Sequence, residues 1–183
     1  NANHAVQTDA ASQPKIVDGG SLITGGLDFD GVNDELNTSL VPPSTATLIG
    51  VATWDVVGST QIIVGARDSA NKRSYLATLA PGPISIGAGN SAFSSVKAIQ
   101  SREYLTFGLH TGTDRQISAN GANSTYSGNS FTANTAYGYN IGSLNDAGTS
   151  SSFTNGRIRE IIIYNTDQSD NRTALEANIG EVY

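Results

Sequence analysis

The chain has 183 residues, 10 Lys and Arg against 16 Asp and Glu, a formal net charge of −6 and a pI near 4.7. This length fits one domain around one core, and the acidic balance opposes attraction to a phosphate backbone, which excludes nucleic acid as an expected partner. There is no cysteine to form a disulfide or thiolate metal site, and no run approaches the roughly 20 apolar residues that cross a bilayer, so membrane insertion is not expected.

In chain order, short β-rich runs alternate with clusters of Gly, Asn, Ser and Asp, the pattern of an all-β domain. Strands are predicted near Lys15–Val17, Ser21–Thr24, Leu27–Phe29, Glu35–Ser39, Ala46–Val57, Gln61–Ala66, Ser74–Leu79 and Ile84–Gly87. They continue near Ala92–Ile99, Glu103–Thr111, Arg115–Ala119, Tyr137–Gly142 and Arg157–Asn165. The run Thr47–Trp54 is apolar at nearly every position, as expected of a central strand covered on both faces, and Trp54 reads as core. Gly121–Asn134 and Ser143–Asn155 are rich in small polar residues and read as surface loops. Asn155-Gly156 is predicted to form a tight hairpin turn ahead of the closing strand. Asp167, Gln168, Ser169 and Asp170 supply helix caps, and Leu175, Ile179 and Val182 form the apolar stripe of a terminal helix. The expected divisions are a leading segment at 1–20, a sandwich at 21–166 and a helix at 167–180, all in one domain. Trp54, Ile49, Phe107, Leu109, Ile161 and Ile163 are expected in the core.

Several segments carry a resemblance. Leu27-Asp28-Phe29-Asp30-Gly31-Val32-Asn33-Asp34, an apolar strand entering an acidic turn, resembles the opening of concanavalin A-like, laminin-G-type jelly rolls. Tyr104–His110 followed by Arg115–Gly121 resembles their central hairpin, and Asn140-Ile141-Gly142 with Gly156–Asn165 completes the order. The resemblance implies a two-sheet antiparallel jelly-roll sandwich with one short C-terminal helix, in which Leu27–Phe29 lies beside the strand Arg157–Asn165. Asn1–Gln7, Ser12–Val17 and the segment from Glu160 to Arg172 are similar to carboxy-terminal modules of bacteriophage virion proteins, and more distantly to the sandwich of arabinofuranosidase B. The chain has no methionine and opens on Asn1-Ala2-Asn3-His4-Ala5, so it reads as a piece of a longer protein.

Candidate chemistry is sparse. Glycoside hydrolysis needs two carboxyl groups facing one sugar, and the Glu-x-Asp-x-Glu row by which jelly-roll glucanases supply them is missing. Asp28 and Asp30 have the right spacing, but Asp30 runs into Gly31, where a carboxylate bonding its own turn is the simpler account. Glu160 is flanked by Arg157 and Arg159 and reads as an ion-pair or interface residue. His4 and His110 have no nearby nucleophile in sequence, so no catalytic residue is assigned. Asp28, Asp30, Asn33, Asp34 and Glu35 offer hard oxygen donors of the kind calcium takes, but without an EF-hand order. No metal site or cofactor is expected, and calcium stands as the alternative.

The resemblance implies a non-enzymatic structural or adhesion module on a bacteriophage capsid or tail, at the virion surface. Its partners would be neighbouring virion subunits, in a homo-oligomer within the particle, or a host-surface glycan. The alternative is a secreted, lectin-like carbohydrate-binding module, followed by a divergent glycosidase. Binding residues are sought in the polar loops and their aromatic side chains: Asn123, Tyr126, Asn129, Phe131, Tyr137, Asn145 and Asp146.

Overall fold

The computed structural model describes residues 4–69, 72–89, 91–127 and 136–182. In chain order its strands are β1 (Ala5–Val6), β2 (Val17–Asp18), β3 (Ser21–Leu22), β4 (Leu27–Asp30), β5 (Leu36–Thr38), β6 (Ala46–Trp54), β7 (Gln61–Ser69), β8 (Lys72–Thr78) and β9 (Pro83–Ala88). They continue as β10 (Ser91–Lys97), β11 (Glu103–His110), β12 (Asp114–Ala119), β13 (Ala122–Ser127), β14 (Asn140–Ile141), β15 (Leu144–Asp146), β16 (Thr149–Ser151) and β17 (Asn155–Tyr164), before one helix, α1 (Arg172–Gly180).

Two sheets face each other. The first runs β1-β5-β14-β7-β8-β9-β10, with β15 and β16 attached beside β7; the second runs β13-β12-β11-β6-β17-β4. Strands β2 and β3 form a separate hairpin, joined to the second sheet where Lys15 bridges Asp28. Pairing is antiparallel except between β15 and β7. This is a jelly-roll sandwich closed by a short helix, and Leu27 to Asp30 pairs with Asn155 to Ile158 of the closing strand as expected.

Alternation along the strands sorts residues between two apolar layers. Leu48, Ala52, Trp54, Leu76, Ile84, Ile86 and Ile117 are buried between the sheets, with Ile161 and Ile163 packed against them. The opposite face of the second sheet buries Ile49, Val51, Phe107 and Leu109 beneath Leu175 and Ile179 of α1. The six expected core residues are therefore divided between the sandwich interior and the layer under the helix. Each large side chain so buried contributes about 2–3 kcal/mol of apolar transfer free energy.

Four expectations need correction. Asn155 and Gly156 make no hairpin turn; they begin β17, paired with Asp30 and Phe29. Gly156 has φ +141°, and a Cβ there would overlap the Thr53 carbonyl oxygen, so close approach of two strands is what requires glycine. The segment 143–155 is not a surface loop: it holds β15 and β16, and Ser143, Leu144 and Thr154 are buried. Within 121–134, residues 122–127 form the edge strand β13, while 128–134 lies outside the described residues. Finally, Asp167 Oδ1 accepts from the Ser169 amide at 2.8 Å ahead of a 3-10 turn, so the α-helix starts only at Arg172 and Val182 stays exposed.

Candidate functional site

The outer face of the second sheet has two halves. Leu175 and Ile179 of α1 cover one. On the other, Asp28, Arg157, Thr53 and Glu103 form a row across β4, β17, β6 and β11, because Arg157 pairs with both Asp28 and Thr53, and Thr53 pairs with Glu103. Their sequence neighbours Phe29, Ala52, Trp54, Tyr104 and Ile158 point into the core, so strand alternation turns this polar row outward. A bulge between Ile158 and Glu160 inserts Arg159 beside the row. Arg157 Nε lies 3.6 Å from Asp28 Oδ1, and Arg159 Nε lies 3.3 Å from Glu103 Oε2. Arg157 also donates to the Thr24 carbonyl at 3.3 Å.

Thr53, Glu103, Arg157 and Arg159, with Thr24, Gly25, Asp55 and Ser101, line an open cleft of about 400 Å³, and Asp28 stands outside that lining behind Arg157. Hydroxyls, carboxylates and guanidinium groups face one space, which gives a polyhydroxyl ligand both acceptors and donors. Next to it, Val51, Leu105 and Ile179 line a smaller pit of about 160 Å³, and Glu103 forms a wall of both. A larger crevice of about 580 Å³ opens between the β2–β3 hairpin and the sandwich edge, lined by aliphatic groups such as Ile16, Leu22, Leu36 and Ile141. Its walls offer a hydroxyl-rich ligand few partners.

The predicted binding residues do not converge on this cleft. Asn123 and Tyr126 lie on β13, where the Tyr126 ring is 5.7 Å from Phe93 and 5.8 Å from the Arg115 guanidinium carbon. Tyr137, Asn145 and Asp146 gather around the β15–β16 turn, the Tyr137 ring beside Gly148, and the polar groups of Asn145 and Asp146 serve the fold. Asn145 Nδ2 donates to the Gly138 carbonyl at 3.0 Å, and its Oδ1 accepts from the Gly148 amide at 2.9 Å. Asp146 receives two bonds from Arg67, one of 2.7 Å from Nε and one from Nη2. That guanidinium, against opposing burial, holds the carboxyl below its usual range. Asn129 and Phe131 lie outside the described residues.

The acidic residues near the amino end disperse. Asp28 faces Arg157, whereas Asp30 Oδ1 accepts from the amides of Val32 and Asn33 at 2.8 and 3.2 Å, the turn role its sequence suggests. Burial raises the Asp30 pKa, but these amides and that of Asp34 outweigh it and the net direction is downward. Asp34 is itself buried and shifted upward, first by desolvation, while it accepts from the Asp30 amide at 3.0 Å. Glu35 accepts from Ser143 at 2.6 Å and Asn140 at 3.0 Å. Among the described residues, no three His, Asp or Glu side chains form a group that could hold a metal ion. Arg157 and Arg159, which both precede Glu160, reach Asp28 and Glu103.

The cleft residues Thr53, Asp55, Glu103, Arg157 and Arg159 are absent from the predicted binding set. Their signal in the sequence is small: polar residues at outward positions of otherwise apolar strands, and two arginines spaced two apart.

No protein-family model matches the chain, and no curated protein sequence matches it. Solved structures do. The NanB sialidase from Streptococcus pneumoniae superposes with a TM-score of 0.60 at 18% identity over 74% of this chain, which spans only 24% of that sialidase. The CBM40 of a Ruminococcus gnavus IT-sialidase, bound to alpha2,3 sialyllactose, gives 0.59 at 12% identity, over 75% of this chain and 83% of that one. A heptameric SAP-like pentraxin from Limulus polyphemus gives 0.60 at 13%, over 80% and 78%. At these identities the likeness is one of fold alone, that of a two-sheet jelly-roll sandwich.

Proposed function

We propose that this module binds a glycan in the cleft of Thr53, Asp55, Glu103, Arg157 and Arg159, and that it binds without turnover. The observation that carries the reading is the outward polar row on an open sheet face, where donors and acceptors are held by cross-strand register. The similarity to a carbohydrate-binding module with a bound oligosaccharide supports it. Display on a virion, with neighbouring subunits as partners, rests on the sequence resemblance alone and is proposed as the setting in which such binding would act.

A glycan array followed by titration calorimetry tests the reading. Arg159→Ala and Glu103→Ala should each weaken binding by about tenfold or more, the loss of one charge-assisted bond in a binding site, with little change in unfolding midpoint because the ion pair they form is half-exposed and such pairs contribute little. Unaltered binding in both variants would place the ligand elsewhere. Steady release of sugar from a bound oligosaccharide would overturn the non-enzymatic part.

A further inference from the structure

The charge pattern of the cleft points to the class of glycan, an inference that rests on the binding site just described. Each guanidinium group of the cleft is already matched by a carboxylate, Arg157 by Asp28 just outside the lining and Arg159 by Glu103 within it, and Asp55 adds a further negative charge to the lining. An incoming carboxylate or sulfate would have to displace Asp28 or Glu103 from its cation, or settle beside Asp55, and like charges in a partly dry cleft repel. The net charge of −6 adds longer-range repulsion of an acidic chain. A neutral sugar meets none of these obstacles. Its hydroxyls donate to the carboxylates and accept from the guanidinium groups without breaking either ion pair.

The pit refines the class. Leu105 is two residues along β11 from Glu103 on the same face, so the pit starts about 7 Å from the polar row at the usual strand rise. Half-buried Leu105 offers aliphatic surface there, backed by the nearly buried Val51 and Ile179, with Asn120 beside it. An acetamido methyl fits that lining, with the rest of its ring in the cleft. We infer that the site takes an uncharged, N-acylated sugar, an N-acetylhexosamine, in preference to an acidic one.

Three disaccharide probes titrated into the wild-type protein test this without any variant: N,N′-diacetylchitobiose, cellobiose and a digalacturonate. Diacetylchitobiose should bind about tenfold or more tightly than digalacturonate, with cellobiose between them. Its affinity should change less than about twofold between low and high salt, since the ligand carries no charge to screen. Tighter binding of digalacturonate than of diacetylchitobiose would overturn the inference and leave glycan binding intact. Equal binding of cellobiose and diacetylchitobiose would overturn the role of the pit. If neither these probes nor a broad array gives binding, the glycan reading fails with the inference. A Leu105→Phe variant, which fills the pit, should lose the preference for diacetylchitobiose over cellobiose while keeping its unfolding midpoint.

Discussion

Ser74 Oγ lies 2.7 Å from His110 Nε2, which ties β8 in one sheet to β11 in the other across the buried interior. Tyr139 Oη, 2.6 Å from the same hydroxyl, completes a polar chain in an otherwise apolar layer. Burial lowers the His110 pKa to about 4, and the charge of Arg115 adds to the shift. The folded state therefore holds this imidazole neutral, while the unfolded chain protonates it near the ordinary value of 6.5. The contribution to stability is complete above pH 6.5 and is lost progressively as the pH falls toward 4. It amounts to roughly 3 kcal/mol at most. Denaturant midpoints measured across this window should fall with pH in the wild type. The part due to His110 should be missing in His110→Gln, and identical slopes would remove His110 from the account.

Ile179 is the buried residue of α1 and closes the layer over Phe107 and Leu109. Ile179→Ala should cost about 2–4 kcal/mol, and Leu109→Ala a similar amount, read as lowered unfolding midpoints. A loss for Leu109→Ala but none for Ile179→Ala would mean that the helix contributes little to this layer.

The β15–β16 hairpin lies against β7, with Leu144 beside Gly65 and Asp146 beside Arg67. Removing residues 144–151 should therefore abolish cooperative thermal unfolding or lower its midpoint sharply, because it takes out Leu144 and leaves Arg67 without Asp146. A deletion variant melting like the wild type would restore the view of this segment as a surface loop.

Gly156→Ala should be among the more damaging single changes in the chain. It combines a backbone angle of φ +141° with overlap against the Thr53 carbonyl, and such combined strain costs about 3 kcal/mol or more. Poor recovery of folded protein, or a sharply lowered midpoint, is the expected outcome.

Much of the architecture was legible because the long strands carry it openly. Thr47–Trp54 is nearly all apolar, and Glu103–His110 alternates sides as it sits between β6 and β12. The turn at Asp30 was readable too, since it is a local bond to residues two and three further on. Strands β13, β15 and β16 were not, because the Asn, Asp, Ser and Thr that make up most of them have the composition of loops, and only pairing with partner strands makes them strands. The cleft was hidden for a related reason. Glu103, Thr53, Arg157 and Asp28 become neighbours only through the order of β11, β6, β17 and β4, and no linear spacing records that order.

The bulge in the closing strand carries a consequence for how its sequence is framed. Ile158 opposes Ala52 and Glu160 opposes Val51, so consecutive partners on β6 are matched by residues two apart on β17. Arg159 is thus supernumerary. Strict alternation counted from Ile158 would turn Ile161 and Ile163 to the outer face under α1, yet both pack against the interior, and Ile162 and Tyr164 take the outer face instead. Excising Arg159 alone would leave a regular strand with every other side chain on its present side. The extra residue is therefore a modular addition to a complete strand, and its guanidinium can be gained or lost in one step without reshaping the sandwich.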